Sequence, residues 1–272
     1  MRLSVHHRTS YAYEGQVRYS TQYLHLTPVS NPSQRVLSWR IDAPGQLTEW
    51  RDAFGNTCHT LVVDKPVSSI DIAAHGQIET TDTAGVLPAE FDGPPLHVYL
   101  RETPLTRADA RIRDFAEPFR ASLDAERLDA LHVLSGAIRD AVDYQSGDTH
   151  VHSPAAEALE LGTGVCQDHA HVFIACCRHL GVPARYVSGY LFTPDESEVA
   201  SHAWAAAWVD DLGWISFDVA NRTCGTAHHV GLAVGLEYNG AAPARGVRQG
   251  GDDGETLSVH VQITEAQRQQ QR

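Results

Sequence analysis

The sequence predicts an α+β protein of two domains, an antiparallel β-sandwich over residues 1–95 and a mixed domain over residues 96–272. The chain has 272 residues, of which 42% are hydrophobic, and this is enough for one large core or two modest ones. Short apolar runs separated by turn residues fill the first 80 positions. Beyond residue 95 the apolar spacing becomes helical, and strand-like runs return after residue 183.

The first domain is predicted to consist of short strands. Partial alternation of apolar and polar residues predicts them at 3–11, 18–26, 36–41, 47–50, 58–63 and 70–78. Turn-forming residues lie between these runs at the close spacing of an antiparallel sandwich. Residues 80–95 are small, polar and contain proline, which favours an extended connection and sets the domain boundary near residue 95.

Helices are predicted to open the second domain. Helical spacing of apolar residues, or a proline after an N-cap serine, predicts them over 108–117, over 128–142 and from 154 onward. Gly162 and Gly164 interrupt this pattern, and an apolar stripe then predicts a helix that begins at Cys166. That helix is predicted to end at Gly181, because Pro183 cannot continue its hydrogen bonds.

An antiparallel sheet is predicted after this helix. Runs of β-favouring residues predict strands over 184–192, 203–209 and 214–219, with residues 210–213 as a hairpin turn. Residues 230–238 and 256–263 are predicted as closing strands of the same domain, around a glycine-rich loop at 246–254.

Composition argues against several partners. The formal net charge is −13 and basic residues occur singly, so neither nucleic acid nor an anionic membrane is expected. The N-terminus lacks the apolar run of a secretory signal, and no segment reaches the roughly 18 apolar residues of a membrane span. Five cysteines, an odd number, indicate reduced thiols. We therefore expect a soluble cytoplasmic protein.

Cys166, His202 and Asp218 are the candidate catalytic residues. A cysteine at a helix N-terminus faces the positive end of the helix dipole, which favours the nucleophilic thiolate. Such a nucleophile needs an imidazole within hydrogen-bond reach and a third group that fixes the imidazole tautomer. His202 and Asp218 lie on the two strands of the predicted hairpin. A four-residue turn would place them on opposite faces, so the site requires a bulge or a shorter turn.

The other cysteines and histidines near the candidate site are interpreted as residues without a catalytic role. Cys176 and Cys177 fit core positions of the helix. Five further histidines are interpreted as surface or satisfied polar residues, namely His169, His171, His179, His228 and His229. Zinc binding on the helix is an alternative, but its Cys and His residues spread around the cylinder and no Cys-x-x-Cys pair completes a tetrahedron. No metal, including calcium, and no cofactor is expected.

Four segments occur in a recognisable order. They are Gly164-Val-Cys-Gln-Asp-His-Ala-His-Val, Gly181-Val-Pro-Ala-Arg-Tyr-Val-Ser-Gly-Tyr190, Ser201-His-Ala-Trp204 and Gly213-Trp-Ile-Ser-Phe-Asp218. Together they resemble the core of the bacterial transglutaminase-like superfamily, and residues 1–82 resemble its N-terminal β domain. The resemblance covers most of the chain. It implies a papain-like, transglutaminase-like core behind a β-sandwich, with the nucleophilic cysteine at a helix N-terminus packed on an antiparallel sheet.

The resemblance also implies roles for individual residues. The nucleophile falls on Cys166, the histidine on His202 and the acid on Asp218. The family commonly follows its acid with Pro-Thr-Asn, whereas this chain has Val219-Ala-Asn221. The Cys166 backbone N–H is the default oxyanion donor, and Tyr144 resembles an aromatic residue that some relatives place upstream of the cysteine.

These observations predict thiol-dependent acyl transfer on a peptide or isopeptide amide, with hydrolysis favoured. A protein-glutamine amine transferase, that is a transglutaminase, is one alternative. The same three residues would serve whether water or an amine accepts the acyl group. A catalytically silent binding module of the same fold is another. Trp204 and Tyr190 are predicted to wall the site, although large aromatic residues on strands also fit a core. A peptide or protein is the expected substrate, and a homo-oligomer is left open.

Overall fold

The computed structural model describes residues 1–87, 93–194, 198–199, 201–251 and 254–266. Its strands, numbered in chain order, are β1 (Arg2–Thr27), β2 (Gln34–Asp42), β3 (Gln46–Arg51), β4 (Thr57–Val63), β5 (Val67–Thr80), β6 (Val86–Leu87), β7 (Asp143–Tyr144), β8 (Thr163–Gly164), β9 (Ala184–Leu191), β10 (Glu198–Val199), β11 (Ser201–Val209), β12 (Gly213–Asp218), β13 (Thr223–Cys224), β14 (His229–Gly235), β15 (Ala244–Gly250) and β16 (Glu255–Glu265). Its α-helices are α1 (Ala110–Ala116), α2 (Arg120–Ala125), α3 (Arg127–Ala141), α4 (Ala155–Leu161), α5 (Cys166–His179) and α6 (Tyr238–Ala241). Within these ranges, no helix is both long and apolar enough to cross a lipid bilayer.

The N-terminal domain is built on one long strand, β1. Its 26 residues pair antiparallel with β5 and then with β4 along one edge, while β2 extends the sheet beyond β5 and β3 extends it beyond β4. The sequence predicts two strands here because the alternation is interrupted at residues 12–17. The structure instead has one strand with a register shift at that point, which bends the strand and lets the sheet curl around its core.

The C-terminal strands complete this same sheet. β16 pairs with residues 3–13 of β1, and β15 pairs with residues 17–24. Their predicted assignment to the second domain is corrected by this pairing, and part of the predicted loop at 246–254 is strand. The physical reason is that β4 and β5 occupy only one edge of β1, so the other edge needs backbone partners. The boundary near residue 95 stays a prediction, since residues 88–92 lie outside the described ranges.

The second domain places helices on one face of an antiparallel sheet. The strand order is β13-β12-β11-β9-β14, with β6 added beside β12. Alternate residues of β11, namely Ala203, Ala205 and Ala207, join Phe173 of α5 and Phe217 of β12 in one buried core. The predicted order of helices followed by an antiparallel meander, and with it the α+β class, is confirmed.

Two side-chain amides join the domains. Gln34 accepts a hydrogen bond from the backbone N–H of Gly231 and donates to its carbonyl oxygen, both at 2.8 Å. Asn56 makes the same pair of 2.8 Å bonds with Val234. Gly231 and Val234 belong to β14, which ends the core sheet. The two amides therefore take the place of a neighbouring strand, and the N-terminal domain lies on the side of β14 away from β9.

Candidate active site

The local sequence places Cys166 at the first residue of α5. Helix α4 ends at Gly162, whose φ of 68° is the left-handed conformation that glycine adopts without strain. β8 then pairs in parallel with β7, which keeps the chain extended up to Val165. The helix therefore begins at Cys166, as the sequence predicts.

Asp168 fixes this helix start. Its Oδ2 accepts hydrogen bonds from the Val165 backbone N–H at 2.8 Å and from the Thr149 hydroxyl at 2.7 Å. The bond to Val165 closes the first turn from the third helical position. A Cβ atom on Gly164 would lie 2.7 Å from the Asp168 Cβ, so the close approach of this carboxylate requires glycine. Asp168 thereby holds the backbone on both sides of Cys166.

The β11–β12 hairpin brings His202 and Asp218 to one face. The two strands pair from Val209 opposite Gly213, so only three residues form the turn. In this register, position 204 stands opposite position 218. Because alternate residues share a face, His202 lies on the same side as Asp218. The turn is therefore shorter than four residues, and positive φ values at Asp211 (66°) and Gly213 (98°) allow it.

His202 binds Asp218 directly. The distance from Nε2 to Oδ2 is 2.8 Å, and the Asp218 side chain is fully buried. Burial lowers the pKa of His202, but hydrogen bonding with Asp218 and then with Cys166 outweighs it and raises that pKa to about 10. Burial raises the pKa of Asp218, but hydrogen bonds from His202, His229 and Asn221 hold it well below its usual range. Since Nε2 faces Asp218, Nδ1 is the nitrogen available to the thiol.

The turn after Asp218 supports the carboxylate. Val219–Asn221 forms a short 3-10 helix. The Asn221 side-chain amide donates to Asp218 Oδ2 at 2.8 Å, and its backbone N–H donates to Oδ1 at 3.4 Å. The asparagine contacts form with Val219 and Ala220 in place of the proline and threonine that the sequence resemblance leads one to expect.

His229 is a second imidazole on the same carboxylate, which the sequence interpretation missed. Its Nε2 lies 3.0 Å from Asp218 Oδ2, and the residue is buried. The Thr226 backbone N–H, which can only donate, points at Nδ1 from 3.1 Å. Because Nδ1 accepts this hydrogen bond, Nε2 carries a proton and donates it to Asp218. The local signal, two histidines before a predicted strand, is too common to indicate this contact.

Tyr144 lies near the thiol. β7 pairs it with Gly164, and its ring stacks on His169 with centroids 6.1 Å apart. Burial, followed by the charges of Cys166 and Asp218, raises the pKa of Tyr144, so the phenol keeps its proton at neutral pH. Its role as an oxyanion donor stays a prediction.

The other cysteines and histidines of α5 are structural. Cys176 and Cys177 are fully buried, and burial raises both pKa values, that of Cys176 to about 12. The two ring nitrogens of His169 lie 2.8 and 2.9 Å from backbone carbonyl oxygens. His171 Nε2 accepts a backbone hydrogen bond at 3.1 Å. Cys176 and Cys177 therefore occupy core positions and His169 is a satisfied polar residue, as the sequence predicts. His171 is fully buried and its Nδ1 has no hydrogen-bond partner among the described residues, so its interpretation as a surface or satisfied residue is wrong.

Trp204 lies beside the candidate site, whereas Tyr190 does not. The Trp204 ring lies 6.0 Å from the His202 ring and lines a cavity of about 410 Å³ between the core sheet and the N-terminal domain. Tyr190 is fully buried, and its hydroxyl lies 2.7 Å from Nδ1 of His7. The prediction that Tyr190 walls the site is therefore wrong. Its position on β9 is covered by the N-terminal domain and belongs to that domain's core.

A cysteine at a helix N-terminus that meets a histidine–aspartate pair on an antiparallel hairpin defines a papain-like α+β core. Residues 113–219 match the Transglutaminase-like superfamily, and residues 3–79 match the Bacterial transglutaminase-like N-terminal region. The chain belongs to the transglutaminase-like superfamily.

Similar proteins extend over nearly the whole chain. An uncharacterized protein of Mycobacterium leprae is 30% identical over 280 residues, which cover 97% of this chain and 98% of that protein. An uncharacterized protein of Mycobacterium tuberculosis is 27% identical over 292 residues, which cover 96% of this chain and 92% of that protein. The crystal structure of a candidate cysteine protease from Cytophaga hutchinsonii has a TM-score of 0.77 at 20% sequence identity. The match covers 98% of this chain and 91% of that protein. The last likeness establishes the shared fold.

Proposed function

We propose that this protein catalyses thiol-dependent acyl transfer on a peptide or isopeptide amide, with hydrolysis as the main outcome. The supporting observation is the 2.8 Å hydrogen bond from His202 to Asp218, beside Cys166 at the start of α5. Nucleophile, base and orienting acid are thus available in one site. Membership of the transglutaminase-like superfamily is consistent with this chemistry.

Acylation begins with attack of the Cys166 sulfur on the amide carbonyl carbon. The carbonyl oxygen takes the displaced electron pair, and the Cys166 backbone N–H and the Tyr144 hydroxyl donate hydrogen bonds to it. When this intermediate collapses, the C–N bond breaks and His202 gives its proton to the departing amine. Asp218 keeps the His202 ring in the orientation that serves both steps. The product is a thioester on Cys166.

Deacylation releases the thiol. His202, now neutral, removes a proton from water, and the resulting oxygen nucleophile attacks the thioester. The C–S bond breaks, a carboxylic acid leaves, and His202 is again paired with the thiolate. We favour water as the acceptor because Cys166 is only partly buried, so that water reaches the thioester without a dedicated amine site. An amine in place of water would give a new amide, which is the transglutaminase outcome.

Mass spectrometry of a trapped acyl-enzyme tests this proposal. Wild type, Cys166→Ala and Cys166→Ser are incubated with a peptide library, with and without an added primary amine. Cys224→Ser is the matched control, since Cys224 is the other cysteine of intermediate burial. We expect an acyl adduct and a free acid product in wild type and in Cys224→Ser, and neither in Cys166→Ala. Amide product that replaces acid when amine is present would identify a transferase.

Thiol labelling separates an active enzyme from a silent binding module. Iodoacetamide should modify Cys166 well below pH 8 and faster than the other four cysteines. Labelling of Cys166 at the rate of Cys224, together with no adduct on any peptide, would contradict an enzymatic role.

A further inference from the structure

A second cluster of reactive side chains lies in the N-terminal domain. His25 is on β1, Cys58 is on β4, and Asp52 follows β3. One nitrogen of the imidazole, one carboxylate oxygen and the sulfur all lie within 4.8 Å of one another. His25 and Cys58 are buried, while the Asp52 side chain is 16% exposed. The proposed acyl-transfer site does not use any of the three.

The imidazole of His25 directs one ring nitrogen at the other two groups. Burial lowers the pKa of His25, but hydrogen bonding with Asp52 and then with Cys58 outweighs it and raises that pKa to about 9, so a bound ion would take the place of the proton on this nitrogen. The Nδ1 atom of His25 lies 3.0 Å from the backbone carbonyl oxygen of Ala242, which can only accept, so Nδ1 bears a proton. Nε2 therefore faces Asp52 and Cys58. The distance from Nε2 to Asp52 Oδ2 is 3.7 Å, longer than a hydrogen bond. A histidine that donates one N–H to a carbonyl and directs its other nitrogen at a carboxylate has the arrangement of a metal ligand.

The distance between the His25 and Asp52 ligand atoms is close to that around a tetrahedral ion, and the Cys58 sulfur, within 4.8 Å of both, would move closer on binding. Bonds of about 2.0–2.1 Å to nitrogen and oxygen, and about 2.3 Å to sulfur, separate neighbouring ligand atoms by roughly 3.3–3.6 Å. The 3.7 Å between His25 and Asp52 needs an adjustment of only a few tenths of an ångström. The Asn56 side chain donates to Asp52 Oδ2 at 2.7 Å and orients the carboxylate from outside, as partners of metal-bound carboxylates do.

The acyl-transfer site offers a similar set of candidate ligand atoms, but one of its imidazoles cannot bind a metal ion without losing a backbone hydrogen bond. His202, Asp218 and His229 also bring their ligand atoms within 4.8 Å of one another. However, the Thr226 N–H occupies Nδ1 of His229, so its Nε2 bears the proton and has no lone pair to offer. Metal binding there would require that backbone hydrogen bond to break. The His25 backbone partner is on Nδ1 and can stay in place, and an ion would replace only the Nε2 proton of His25 and the Cys58 thiol hydrogen bond to the Asn56 carbonyl oxygen at 3.6 Å.

We propose that His25, Asp52 and Cys58 bind a thiophilic divalent transition-metal ion of the Zn²⁺ type. A thiolate and an imidazole select such an ion over Mg²⁺ or Ca²⁺, which prefer oxygen ligands. The thiolate and the carboxylate neutralise its two positive charges, so the buried complex carries no net charge. Binding releases the Cys58 thiol proton and the Nε2 proton of His25 to solvent, and a water molecule completes the tetrahedron.

The ion would strengthen the junction between the domains. The backbone N–H of His25 donates to the Pro243 carbonyl oxygen at 2.9 Å, and its Nδ1 binds the Ala242 carbonyl. Asn56, which donates a hydrogen bond to Asp52, also donates one to the Val234 carbonyl oxygen at the edge of the core sheet. An ion that fixes His25 and Asp52 therefore stabilises contacts on both sides of the junction, and the temperature of unfolding should rise when it binds.

Metal titration of the full-length, chelator-stripped protein tests the proposal. Zn²⁺ binding is measured by equilibrium dialysis, and Co²⁺ binding by absorbance, because a thiolate ligand gives Co²⁺ a charge-transfer band in the near ultraviolet. We expect one ion per chain and the thiolate band in wild type, with both lost in Cys58→Ser. Cys166→Ser is the matched control, which should keep the ion and the band.

A second variant guards against loss of folding. Asp52→Asn keeps the size of the side chain and should weaken Zn²⁺ binding at least tenfold while the circular dichroism spectrum is unchanged. Zn²⁺ should raise the unfolding temperature of wild type but not of Cys58→Ser. An ion lost in Cys166→Ser or His202→Gln but kept in Cys58→Ser would place the metal at the other site and overturn the proposal. Absence of stoichiometric Zn²⁺ binding would overturn it too, leaving a His25–Asp52 ion pair only.

Discussion

Replacing Asp218 by asparagine removes the charge that holds the His202 imidazolium while keeping the shape of the side chain. Hydrogen bonding with Asp218 is the largest contribution that raises the pKa of His202 from 6.5 to about 10. That difference corresponds to about 5 kcal/mol in favour of the charged ring, at about 1.4 kcal/mol for each pKa unit. In the variant, burial remains and the counter-charge is gone, so the pKa of His202 should fall below 6.5.

The consequence for reactivity follows from the protonation state. At pH 8 about 99% of wild-type His202 rings carry the charge, whereas most rings in the variant are neutral. A hydrogen bond to a charged group contributes roughly 1.5–3 kcal/mol, so iodoacetamide should modify Cys166 roughly 10- to 100-fold more slowly in Asp218→Asn. Cys166→Ser should lower the pKa of His202 less, because the thiol contributes less than the carboxylate.

The assay combines a histidine titration with a stability curve. NMR follows the His202 ring, assigned by comparison with His202→Gln, and mass spectrometry follows alkylation of Cys166. A raised His202 pKa adds stability below pH 6.5 that is lost as the pH rises towards about 10, while the lowered pKa of Asp218 adds stability above pH 3.8. The free energies of unfolding of wild type and variant should therefore differ most between pH 3.8 and 6.5.

The control is Asp210→Asn on the same hairpin, an exposed carboxylate that lies 2.9 Å from Arg127. It should leave the His202 titration and the labelling rate unchanged. A His202 ring that titrates identically in wild type and in Asp218→Asn would refute the assignment of Asp218 as its counter-charge.

Three further substitutions test the support of the site and of the fold. His229→Ala removes one donor to the buried carboxylate and should lower turnover roughly tenfold, whereas His229→Gln, whose amide also donates, should recover most of it. Gly164→Ala forces a Cβ against Asp168 and should cost roughly 1–3 kcal/mol in urea unfolding, while Gly136→Ala on α3, in open space, should stabilise by up to about 1 kcal/mol. Asn56→Ala leaves a backbone N–H and carbonyl of β14 without their partner and should cost about 2–4 kcal/mol by the same measurement.

Specific results would contradict each of these expectations. Equal turnover in wild type and His229→Ala would mean that this imidazole does not support the carboxylate. Equal unfolding free energies for the two glycine variants would show that Asp168 does not need its close approach to residue 164. An Asn56→Ala protein as stable as wild type would mean that the edge of β14 finds other partners.

Most elements could be predicted from the sequence because their signals are local. Helix α5 begins where glycine ends the preceding pattern, and its length follows from the stripe that ends near Gly181. Periodicity predicts two strands in place of the long strand β1, because a bulge disturbs the alternation without ending the strand. The pairing of β15 and β16 with β1 could not be predicted, since strand periodicity says nothing about which distant edge a strand will join.

The sequence by itself determined the three residue types of the site, their order and the helix start that presents Cys166. Only the tertiary structure decided that a three-residue turn brings His202 to the face of Asp218, because one residue more in that turn would reverse the parity of the pairing. Tertiary structure also decided that His229 joins the carboxylate and that Tyr190 is buried under the N-terminal domain. Both outcomes depend on contacts between segments far apart in the chain, where local propensity has no influence.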